Sequence, residues 1–196
     1  MKKLKPFLFL LFVLPLMGCE ELEELIEEEF DVTISFAGDL EIISETAVSE
    51  PTDPITVVTE IATYNIHSDP DIAEVINSRD EITKVKIDRI RYSYQDFQGN
   101  EQAFVIEAGF SFTDVNTMST RSYEILDTNV NIADADFRND GFVLEDDFSE
   151  LEEGLSKGIP SIAIRYFGTI SHNPVDFKVG ITVDVTVTVK PDLDNF

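Results

Sequence analysis

The sequence predicts an all-β fold: a mainly antiparallel β-sandwich, open or jelly-roll-like, with two short helices. Three observations predict it. Val175, Phe177, Val179, Ile181, Val183, Val185, Val187 and Val189 fill eight consecutive odd positions, with Asp176, Lys178, Gly180, Thr182, Asp184, Thr186 and Thr188 between them. Ile162, Ile164, Tyr166, Gly168 and Ile170 alternate in the same way, with His172-Asn173-Pro174 at the turn between the two runs. Upstream, further alternating runs are broken by residues that favour turns. A period of two with one apolar and one polar face is the pattern of an antiparallel sheet buried on one side. A series of such strands with few helical segments folds as a sandwich. At about 3.3 Å per residue the last strand is roughly 50 Å long, so a bend is expected, at Gly180.

In chain order, Val32, Ile34 and Phe36 form the first strand, and Ala37-Gly38-Asp39 is expected to turn the chain into Leu40-Glu41-Ile42. Two prolines fix a loop over Ser49 to Pro54, and Ile55 to Ile61 reads as a strand. Ser68-Asp69-Pro70 has the cap and first-turn proline of a helix start, and Ile72, Val75 and Ile76 share one face to about Ser78. Val85 and Ile87 have one strand phase, while Ile90, Tyr92 and Tyr94 have the opposite one. That change at Asp88-Arg89 marks a bulge or a crossing between sheets. Gln98-Gly99-Asn100 turns, Phe104, Ile106, Ala108, Phe110 and Phe112 alternate, and Ile125, then Val130 and Ile132, read as another strand. Asp147 with Glu150 three residues later, the stripe Phe148, Leu151 and Leu155, and Gly158 at the end predict the second helix.

The amino terminus has another character. Met1-Lys2-Lys3-Leu4-Lys5 is basic, Pro6 to Met17 is an apolar run of twelve residues, and Gly18-Cys19 closes it. This is the layout of an export signal, whose apolar region spans about 7–15 residues. A membrane-spanning helix needs about 20 apolar residues, more than this Pro15-interrupted run supplies. Leu16-Met17-Gly18-Cys19 resembles the lipobox of bacterial lipoproteins, with Met17 at the position where Ala, Ser or Thr is more usual. The resemblance implies diacylglycerol on Cys19 through a thioether, cleavage after Gly18, and acylation of the new amine. Two or more acyl chains anchor stably where one binds marginally. Cys19 is the chain's single cysteine, so a body without disulfides depends on its core.

Seven glutamates among Glu20 to Glu29 follow at once, and the segment reads as a solvated tether. Its composition is similar to the surface-export signal of Bacteroidota lipoproteins, which implies the outer face of the outer membrane. A spacer facing the periplasm is the competing expectation. The organisation expected is therefore a signal peptide over 1–18, an acidic tether over 19–30, a sandwich domain over 31–190 and a tail over 191–196. Cleavage leaves 39 acidic against 11 basic residues, a net charge of −28. Nucleic acid is an unfit partner, because its binders need a basic footprint. Anionic headgroups are equally unfit, which leaves the lipid to hold the membrane. Twelve phenylalanines, five tyrosines and periodic Val and Ile remain to build a core.

Candidate chemistry is sparse. His67 and His172 stand 105 positions apart, and no catalytic set forms around either in the sequence. Asp134, Asp136, Asp140 and Asp147 belong to the densest group of oxygen ligands, and calcium favours six to eight oxygens on a flexible loop. An EF-hand alignment from Asp136 places Arg138 at a ligand position and Asp147 where a bidentate glutamate belongs, so a solvated acidic loop is the main expectation. Lys84, Lys86, Arg89 and Arg91 put four of the eleven mature bases within eight residues. They read as the outward face of a strand or as a docking patch for an acidic protein or polysaccharide. Tyr92, Tyr94, Tyr123 and Tyr166 are core residues or the lining of a sugar site, and the chain has no tryptophan for stacking. The expectation is a non-enzymatic cell-envelope lipoprotein, held on the outer membrane by lipid, whose β-domain is a binding or structural module without a cofactor. A carbohydrate-binding or carbohydrate-acting lipoprotein and a calcium-stabilised adhesin are the alternatives.

Overall fold

The computed structural model describes residues 30–44, 55–59, 62–65, 81–126, 128–156 and 161–190. The lipobox-like Leu16 to Cys19, most of the expected tether, the loop expected at 49–54, His67, the helix expected over 68–78, Gly158 and the expected tail lie outside these residues. Nine strands are described: β1 (Phe30–Ser44), β2 (Ile55–Val58), β3 (Ala62–Asn65), β4 (Glu81–Gly99), β5 (Val105–Asp114), β6 (Thr120–Glu124), β7 (Gly141–Leu144), β8 (Ser161–Ile170) and β9 (Val175–Lys190). Helices α1 (Ile132–Arg138) and α2 (Ser149–Leu155) flank β7 in sequence.

The strands form two sheets with the orders β1-β9-β4-β7 and β2-β8-β5-β6, and β3 also pairs with β8. All pairings are antiparallel. Because β2 and β3 meet opposite ends of β8, they act as one interrupted strand. The pairing is then nested: first strand with last, second with next to last, and so inward to β5 with β6. That is a long hairpin folded over itself into a double-sheet jelly roll.

β9 lies at the centre of its sheet because its odd side chains are the most consistently apolar in the chain. Every odd residue from Val175 to Val189 is buried. Gly180 pairs with Asp39 and Ser93 without a register shift on either side, so the irregularities fall in β4 instead. The shift between Ile87 and Arg89 is the bulge that the phase change predicts, and two others lie at Ile82/Lys84 and Gln95/Gln98.

The structure departs from the sequence expectation at four places. β1 runs straight through 37–39, since Leu40 and Ile42 keep the even phase of Val32 and Gly38 simply pairs with Ile181. The single strand expected from Ile55 ends at Val58. Thr59 keeps its N–H on the Tyr166 carbonyl at 3.0 Å, but the Tyr166 N–H donates to the Thr59 hydroxyl. Val105, not Ile106, is buried, because a register shift between Val105 and Glu107 changes phase before Ala108. Ile132 starts a helix, not a strand. Asn131 caps it by accepting from the Asp134 N–H, and Asn139 closes it in the left-handed conformation at φ 54°.

Both helices have the same task. β4 is paired by β9 on one side along its length, but on the other side β7 covers only Ile90 to Ser93. The Ser156 hydroxyl after α2 accepts from Val85 N–H at 2.9 Å, and the Glu152 carboxylate accepts from Ile87 N–H at 2.7 Å. The Asp136 carboxylate of α1 accepts from Phe97 N–H at 3.0 Å beyond the other end of β7. An edge that lacks a partner strand is thus satisfied by side chains.

Candidate functional site

The four acidic candidates are dispersed. Asp134 lies in the first turn of α1, where a carboxylate favours the helix dipole. Asp136 is tied to Phe97, and Asp140 accepts from Arg138 at 2.8 Å. Asp147 accepts from the Ser149 N–H at 3.0 Å, and that main-chain bond holds its carboxyl below the usual range. The twelve positions from Asp136 to Asp147 are divided among the end of α1, β7 and the approach to α2, so they form no single loop. Among the described residues no group of three or more His, Cys, Asp or Glu is placed to hold a metal ion.

His172 is half-buried at the β8–β9 turn, with Nδ1 2.8 Å from the Ser171 hydroxyl and its ring against Phe104. Of the two expectations for the tyrosines, core residues or the lining of a sugar site, the structure bears out the first. Tyr92, Tyr94, Tyr123 and Tyr166 are all buried between the sheets, because their strand phases match the inner faces. Phe110 packs edge-on against Tyr92 and Tyr166 at 5.5 Å, and Tyr94 meets Phe177 at 5.9 Å. The Tyr94 and Tyr166 hydroxyls lie 3.4 Å apart. Burial pushes the Tyr166 phenol far up, with the Tyr94 hydrogen bond a smaller opposing effect. The folded state therefore holds a proton that an unfolded tyrosine releases near pH 10. This contribution to stability is complete below about pH 10 and is lost as pH rises above it. Alkaline titration followed by tyrosinate absorbance and circular dichroism is expected to show the last tyrosine ionising together with unfolding.

The cationic strip forms as one face. Lys84 and Lys86 are even, Arg89 and Arg91 odd, and the bulge between Ile87 and Arg89 keeps all four exposed on the outside of the β1-β9-β4-β7 sheet. Acids interleave with them. Lys86 pairs with Asp88, a contact that raises the lysine and lowers the aspartate pKa. One Arg91 nitrogen donates to both Asp184 oxygens at 3.2 and 3.0 Å. Thr186 donates to Asp88, and Thr188 to Asp31. Lys84 and Arg89 have no ion-pair partner among the described residues. The face is a hydroxyl and ion-pair lattice more than a bare positive patch.

A further surface has only a faint signal in the sequence. At the opposite margin from β1, edge strands β6 and β7 leave a mouth of about 380 Å³ between the sheets. Phe142 forms part of its floor, stacked on Tyr92 at 5.2 Å and 19°. Leu126, 84% exposed, and Val143, 50% exposed, stand at its lips, with Glu124 and Glu145 on the rim. The run Phe142-Val143-Leu144 between acidic stretches was the available signal: three consecutive apolar residues do not fit one buried and one wet face.

No protein-family model and no curated protein matches this chain. Among solved structures it is similar to infectious bursal disease virus, Gx strain, at 12% identity and a TM-score of 0.38, covering 85% of this chain and 38% of that one. It is also similar to Desmodium yellow mottle tymovirus, at 8% identity and a TM-score of 0.31, covering 85% and 93%. The decameric BFDV capsid protein gives 8% and 0.37, covering 82% and 99%.

Proposed function

We propose that this chain is a lipid-anchored lipoprotein of the bacterial cell envelope, carried on the outer membrane by acyl chains on Cys19. Its jelly-roll body is a non-enzymatic binding or structural module. The observation that carries this reading is Leu16-Met17-Gly18-Cys19 closing an apolar run directly ahead of the acidic tether. An acidic body is repelled by anionic headgroups, so the acyl chains supply the attachment. The buried tyrosines remove the aromatic platform that favoured carbohydrate.

Labelling cells with radioactive palmitate is expected to mark the wild-type protein and send it to the detergent phase of a Triton X-114 partition. Cys19→Ala is expected to take no label and stay in the aqueous phase. An unlabelled, aqueous wild type would end the reading. Protease shaving of whole cells separates the two orientations: cleavage marks the outer face and protection the periplasmic face.

A further inference from the structure

We propose that the mouth between β6 and β7 receives an extended peptide strand from a protein partner, apolar at alternate positions and basic at both ends. The peptide adds to the free edge of β7 as a fifth strand of the β1-β9-β4-β7 sheet. The inference rests on reading the body as a binding module and names its partner's chemistry.

Three observations point to this occupant. First, β7 has β4 on one side and no strand on the other among the described residues. In an antiparallel pair alternate residues turn both N–H and C=O away from the partner, so β7 offers a short row of outward donors and acceptors. Natural edges are blunted by charge, proline or cover. The neighbouring stretches of β4 are covered by Glu152, Ser156 and Asp136, while Gly141-Phe142-Val143-Leu144 carries neither charge nor proline.

Second, a strand added to β7 turns alternate side chains toward the space between the sheets. Phe142, Ile125 and Leu126 give that space an apolar wall beside its acidic rim, and its volume admits a large aliphatic or aromatic side chain. Main-chain bonds at an edge supply affinity, and pockets for alternate side chains supply selectivity. Leu126 at 84% exposure is a large apolar group in water that such a side chain would cover.

Third, the exposed Glu124 and Glu145 both line this mouth, in a chain carrying 39 acids. Basic ends on the peptide complement that rim. The same charge disfavours a second copy of this chain, which would bring like rims together.

The test is a titration of the full chain, in detergent micelles, into the fluorescein-labelled peptide Lys-Val-Thr-Phe-Thr-Val-Lys. Saturable anisotropy is expected, with slowed amide exchange at residues 141–144. Leu126→Asp, which alters an exposed side chain and leaves the core untouched, is expected to weaken binding about tenfold or more. Val143→Pro is expected to weaken it as well, with thermal melts showing that both variants are folded. Glu124→Gln with Glu145→Gln is expected to lower affinity several-fold and flatten the salt dependence. Absence of saturable binding, equal binding by folded Leu126→Asp, or slowed exchange confined to another strand overturns the proposal. So does dimerisation through β7 in sedimentation velocity, which would make a second copy the occupant. Palmitate labelling reads the anchor independently, so loss of either conclusion leaves the other measurable.

Discussion

Phe110→Ala is expected to destabilise the protein by about 3–5 kcal/mol, the range for a large aromatic side chain deleted from a core. Phe110 is fully buried in β5. It meets Tyr166 of the neighbouring β8 edge-on and Tyr92 of the opposite sheet at the same 5.5 Å. Phe112 lies beside it at 6.3 Å. The substitution therefore removes a contact between the sheets, where no short local shift can refill the space. With Cys19 as the chain's single cysteine, no internal disulfide offsets the loss. Domains of this size have total stabilities of about 5–15 kcal/mol, so a large share is at stake. Urea unfolding followed by circular dichroism is expected to show a much lower midpoint with an unchanged slope. Val58→Ala, at a site 57% exposed, is the matched control and is expected to stay within about 0.5 kcal/mol. Equal midpoints for Phe110→Ala and wild type would show that the aromatic cluster does not hold the sheets together.

What was legible in the sequence follows the same physics. β8 and β9 are readable because each has one buried and one wet face, so their period survives as an unbroken alternation. The bulge at Asp88-Arg89 is readable because it reverses that phase between Ile87 and Ile90. The apolar stripe of α2 is readable because Leu151 and Leu155 pack inward while Phe148 meets Tyr123 at 4.9 Å. β7 and α1 were not readable. Four residues cannot establish a period, and seven residues of helix with Ile132 and Ala135 inward look like a strand end. The nested pairing was not legible either, since an alternating run says that one face is buried but not which strand lies beside it. The mouth shared this limit: it exists only because β6 and β7, separated in sequence by α1, end at the same margin of two different sheets.

The second large effect concerns the gap that β7 leaves along β4. Replacing Glu152 and Ser156 together by alanine removes the acceptors of Ile87 N–H and Val85 N–H. A buried donor without a partner costs about 1–3 kcal/mol, and two lie within three residues here. The Ser156 hydroxyl also donates to the Glu152 carbonyl, so its loss loosens the end of α2 as well. Leu151 and Leu155 hold the helix against the core, which makes undocking unfavourable and leaves the two N–H groups short of water. The double variant is accordingly expected to lose several kcal/mol, with fast amide exchange at residues 85 and 87 and protected exchange retained across β8 and β9. Glu152→Gln keeps a carbonyl oxygen at the same reach and is expected to recover most of the loss at that position. If the double variant melts with the wild type, water serves this edge as well as the helix does. The helix would then be fixed by its two leucines alone.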